Sequence, residues 1–132
     1  MKLTNAIIIG VVVYLTFYFG EKGIHFAFFY FTHDFSTSNL LMMKSSFLFS
    51  FAILLGGGIA GYLSNKGLLS GFIVGCIASS IVLIIQQITG ANPLMQEFTP
   101  AILFDEVFLN ACICAAAGAT GELIRYKSRQ QS

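Results

Sequence analysis

Apolar residues run along this chain in four long stretches, each cut off by a short polar or glycine-rich cluster. The first covers about residues 3–19 and ends at Gly20-Glu21-Lys22-Gly23. The second covers about 45–63 and stops at Ser64-Asn65-Lys66-Gly67, and the third covers about 68–88 and is closed by Gly90-Ala91-Asn92-Pro93. The fourth follows Thr99-Pro100, an N-capping residue with proline at the first helical position. It covers about 101–124 and gives way to a polar tail at 125–132. At a rise of about 1.5 Å per residue, stretches of this length reach across a hydrocarbon core. Inside lipid each must satisfy its own backbone, as a helix does. The predicted fold is all-α: an integral membrane four-helix bundle, one transmembrane domain over residues 1–132.

One segment falls outside this scheme. Ile24 to Phe31 reads Ile-His-Phe-Ala-Phe-Phe-Tyr-Phe, apolar but too short to cross. Aromatic rings suit the headgroup boundary, so it reads as a short aromatic interfacial segment after helix 1. Extension of helix 1 past a kink at Gly20 and Gly23 is the alternative.

Composition narrows the class. Hydrophobic residues make up 56% and charged residues 10%, where an average globular protein is about 25% charged. A net charge of +1 gives no basic surface for nucleic acid. The lipid bilayer is the expected partner. Four spans put the N-terminus, the second loop and the C-terminus on one side, with Lys2, Lys66, Arg125, Lys127 and Arg129; Lys22 and Lys44 fall on the other. The positive-inside rule then makes both termini cytoplasmic.

Glycine spacing is the most informative local pattern. Gly67, Gly71, Gly75 and Ser79 recur every four residues along the third span, and Gly57 and Gly61 do so in the second. Cys114–Gly118 and Ala117–Gly121 continue the pattern in the fourth. Residues four apart share a helix face, so these rows form grooves that another backbone can enter. Lipid offers helices no hydrophobic reason to associate, and close packing has to replace it. The helix-packing set is Gly57, Gly61, Gly67, Gly71, Gly75, Ser79, Gly118 and Gly121. Packing within the chain is the first reading; a homo-oligomer or a larger membrane complex is the second.

Chemical signals are weaker. Glu106 and Asn110 share a face of the fourth helix, and with Gln87 they outline a polar path. The bland reading leaves the acids at the outer boundary, near the positive end of the helix dipole. His25 and His33 flank the aromatic segment beside Asp34, but eight positions on a helix separate them by about 12 Å, too far to share a metal. Cys112 and Cys114 point apart on a helix. No catalytic residues, no metal and no cofactor are expected, and the chain is read as no enzyme.

Gly56-Gly57-Gly58-Ile59-Ala60-Gly61-Tyr62-Leu63, the turn with Lys66-Gly67, and Gly71 and Gly75 beyond it resemble the glycine-rich hairpin of small prokaryotic multi-pass membrane proteins of unknown function. The resemblance covers the middle quarter of the chain. It implies four spans in a prokaryotic inner or cell membrane, and no assigned site. The expected function is a structural or accessory subunit acting through helix packing. The alternative is a small ion or solute channel or transporter using Glu106 and Asn110.

Overall fold

The computed structural model describes residues 2–32, 51–89 and 100–131, and within them every regular element is an α-helix. α1 spans Leu3–Thr32, α2 is described over Phe51–Leu63, α3 spans Gly67–Thr89 and α4 spans Pro100–Gln130. Together they form a four-helix bundle. Three helical stretches, Leu3–Ile24, Gly67–Thr89 and Phe104–Gln130, are long and apolar enough to cross a membrane. The start of the second predicted span lies outside the described residues.

Two boundaries differ from the sequence reading. The segment 24–31 is not a separate interfacial element, because α1 continues through it without a break to Thr32. Gly20 and Gly23 have open space where a side chain would stand. Each weakens the helix by about 1 kcal/mol relative to alanine, but neither removes a backbone donor as proline does. The run of helical residues is unbroken across both. The polar tail is also helical, since α4 runs on to Gln130; Lys127 and Arg129 in its last turn favour that end electrostatically. The fourth helix begins at Pro100, where the N-terminal proline signal placed it.

The order is up-down-up-down. α1 and α3 rise together, as Tyr14 lies beside Ser79 and Tyr18 beside Gln86. α2 and α4 run the opposite way, as Gly57 faces Cys114 and Gly61 faces Gly118. The start of α1, the α2–α3 turn and the end of α4 therefore share one end of the bundle. Tyr14, Tyr18, Ile53, Ala78, Val82 and Cys114 form a core cluster drawn from all four helices. Elsewhere the interior is built of small residues: Ala6, Ala52, Ala60, Ala111, Ser64, Ser70 and Ser79 are all buried. Large apolar side chains such as Ile8, Val12, Phe17, Ile84, Phe108 and Leu109 face outward.

Candidate functional site

The candidate site is a seam of backbone-to-backbone contact in which α4 lies in the angle between α2 and α3. It starts from the residue spacing: Gly67, Gly71 and Gly75 line one stripe of α3, and α4 presents Gly118, Cys114 and Ala111 to it. A Cβ added at Gly75 would stand 2.5 Å from the Ala111 Cα, and one at Gly71 would stand 3.0 Å from the Ala115 Cα. From α2, a Cβ at Gly57 would stand 2.8 Å from the Cys114 Cα, and one at Gly61 only 2.5 Å from the Gly118 Cα. The contact is reciprocal. Gly118 meets Gly67 and Gly71, and Gly121 meets Gly58 and the Tyr62 amide. Carbon atoms pack best about 3.5–4.0 Å apart, so even a methyl group would force these backbones apart. Glycine is required here by proximity.

A second seam joins α1 to the hairpin of α2 and α3. A Cβ at Gly10 would stand 2.8 Å from the Ala60 Cβ and 2.9 Å from the Val74 Cγ2, and one at Gly56 would stand 2.8 Å from the Tyr14 Cβ. Sequence reasoning did not include Gly10. The signal was present, because Ala6 and Gly10 are four apart and both are buried. Ser79, in the glycine row of α3, plays a different part: its buried hydroxyl shares a 3.4 Å hydrogen bond with the Tyr14 hydroxyl on α1.

Polar groups clamp the end of the bundle at the α2–α3 turn. The Gly67 amide, at the start of α3, donates to the Glu122 carboxylate at 2.6 Å. The Arg125 guanidinium donates to the Ser64 carbonyl at 3.0 Å and to the Asn65 side chain at 2.8 Å, at the end of α2. Helix starts carry partial positive charge and helix ends partial negative charge. Two side chains three apart on α4 thus answer two termini of opposite polarity. The Ser64 and Ser70 hydroxyls, 2.9 Å apart, bridge the turn beneath them.

The residues of the expected polar path are not assembled. Gln87 and Glu106 are exposed and Asn110 is half-buried, and among the described residues no hydrogen bond joins the three. Gln86, the neighbour, is the one that turns inward, donating to the Tyr18 hydroxyl. Lys22 stands over the Tyr18 ring, 5.8 Å from its centroid, and Glu21 is buried at the same end. Among the described residues no group of three His, Cys, Asp or Glu side chains could hold a metal ion. His33 and Asp34 lie outside the described residues. Cys76, Cys112 and Cys114 are free thiols; the Cys114 thiol donates to the Ile53 carbonyl at 3.2 Å across the α2–α4 contact.

Comparison with known proteins supplies no relative: no family model matches the chain, and no curated protein and no solved structure is significantly similar to it.

Proposed function

We propose that this protein is an integral membrane protein of a prokaryotic cell membrane, with both termini cytoplasmic, serving as a structural or accessory subunit through helix packing and without catalysis. The observation that carries this reading is the inverted distribution of side-chain size. Glycine, alanine and serine fill much of the interior while isoleucine, leucine and phenylalanine cover the outside of α1, α3 and α4. Water would penalise such a surface, since soluble monomers rarely expose contiguous apolar patches beyond a few hundred Å². Lipid tails accept it, and in lipid only close packing holds helices together. The cytoplasmic assignment rests on Lys66, Arg125, Lys127 and Arg129 lying at the end shared by the α2–α3 turn and the close of α4.

The channel reading has less support. Glu106 and Gln87 sit on the outside, and the backbone contacts at Gly75, Gly71 and Gly61 close the face of α4 that meets α2 and α3. Purification from native membranes after mild crosslinking, combined with flux assays in liposomes, tests the proposal. A stoichiometric membrane partner without flux supports it; flux abolished by Glu106→Gln replaces it with the transport reading.

A further inference from the structure

A groove of about 360 Å³ runs along the outer face between α2 and α4. Leu54, Gly58 and Tyr62 line it from α2, and Ala117, Gly121 and Ile124 from α4. Gly58 touches Gly121 through its carbonyl group, but unlike the other seam glycines it has room for a side chain. Among the described residues, a Cβ there would meet only the Ala117 carbonyl oxygen, at 3.8 Å, an ordinary contact that does not demand a glycine. Its small size serves the groove.

The groove ends in positive charge. Beyond Ile124 the same face of α4 continues three residues on to Lys127, and beyond Tyr62 the chain passes out of α2 to Lys66. Both lysines are exposed. The neighbouring Glu122 is held by the Gly67 amide and Arg125 by the carbonyls at the end of α2, whereas Lys66 and Lys127 are exposed cations at the end of the bundle toward which the groove runs. An apolar slot between helices that opens on basic side chains at the cytoplasmic boundary suits an acidic headgroup with its acyl chain.

We propose that this groove binds an anionic phospholipid of the surrounding bilayer, one acyl chain lying along Gly58 and Ala117 and the phosphate meeting Lys66 and Lys127. The site rests on the membrane reading above. A volume of 360 Å³ lies within the roughly 300–1,000 Å³ of small-molecule sites. A second copy is the poorer occupant: an isologous contact sets the same patch against itself, which would bring two pairs of lysines together.

The test uses the full-length protein in mild detergent, incubated with phosphatidylglycerol or phosphatidylcholine of matched chains and read by native mass spectrometry. Phosphatidylglycerol is retained in preference to phosphatidylcholine. Lys66→Gln and Lys127→Gln each weaken its retention about fivefold, as expected for a basic residue near an anionic headgroup. Gly58→Leu fills the groove without entering the seam and abolishes retention, with circular dichroism confirming an unchanged helix content. Equal retention of both lipids, or phosphatidylglycerol retention unchanged in both lysine variants, overturns the site. So does a dimer that Gly58→Leu disperses. Alkaline washing of membranes separates the two levels: release of the chain refutes the membrane reading, whereas a chain that stays embedded but shows no lipid preference refutes the groove alone.

Discussion

Replacing Gly61 by alanine adds one methyl group where α2 meets α4. That carbon would stand 2.5 Å from both the Cα and the carbonyl carbon of Gly118. Because carbon atoms pack best at about 3.5–4.0 Å, the two helices must part by roughly 1–1.5 Å. No rotamer change relieves the clash, since both groups are backbone. A gap of about 0.5–1 Å already forfeits a quarter to a half of the local dispersion energy, and the neighbouring contacts of Gly57 with Cys114 and of Gly121 with Tyr62 share the loss. Overpacking costs about 1–3 kcal/mol, and the gain in helix propensity returns about 1 kcal/mol. Net destabilisation of about 0–2 kcal/mol is expected, or about 1–3 kcal/mol relative to a glycine-to-alanine change that meets no clash. Gly58→Ala is the matched control: its methyl group finds an ordinary 3.8 Å contact, so only the propensity gain of up to about 1 kcal/mol applies. Unfolding in mixed micelles, followed by circular dichroism against the denaturing detergent fraction, measures both. If Gly61→Ala proves as stable as Gly58→Ala, backbone proximity does not organise the bundle and the reasoning fails.

Other outcomes follow from the remaining contacts. Glu122→Ala removes the acceptor at the start of α3 and should cost about 1.5–3 kcal/mol in the same assay, as a hydrogen bond to a charged group does; Glu122→Gln, which keeps an acceptor oxygen, should recover part of it. Arg125→Ala should loosen the α2–α3 turn, seen as faster amide hydrogen exchange at Asn65 and Lys66; unchanged exchange would remove the clamp from the account. Tyr14→Phe and Ser79→Ala should each cost less than about 1 kcal/mol and the double variant no more than the larger single, since hydrogen bonds between membrane helices average about 0.6 kcal/mol. Glu106→Gln should leave stability unchanged and liposomes impermeable, because the side chain is exposed.

Much of the architecture could be read from the chain because its strongest signals are local. Pro100 marked the start of α4, and the polar break at Ser64-Asn65-Lys66 marked the turn between α2 and α3. Spacing by four placed Gly67, Gly71 and Gly75 on one stripe, and that stripe does receive α4. Spacing does not identify which backbone enters a groove, and so Gly58 looks like its neighbours in sequence although a side chain there would meet only an ordinary 3.8 Å contact. The continuation of α1 through Gly20 and Gly23 was the alternative rather than the first reading, because a glycine pair signals a break in sequence whether or not the helix runs on. The roles of Glu122 and Arg125 depend on α4 passing the α2–α3 turn, a relation across 55 positions for Gly67 and Glu122 that no local pattern encodes. Gly10 shares the spacing by four with Ala6, but its partners, Ala60 and Val74, lie on other helices, which spacing alone does not reveal.

The most direct test of the inverted bundle is thiol accessibility in sealed membrane vesicles. With Cys76, Cys112 and Cys114 replaced by alanine, single cysteines are placed at Asn65, Gln130, Lys22 and Ile77 and probed with a water-soluble maleimide from each side. Ile77 is exposed in the middle of α3, so water would reach it and lipid would shield it. The account predicts labelling of Asn65→Cys and Gln130→Cys from the cytoplasmic face, of Lys22→Cys from the opposite face, and of Ile77→Cys from neither. Labelling of Ile77→Cys, or of Lys22→Cys and Asn65→Cys from the same face, would contradict it.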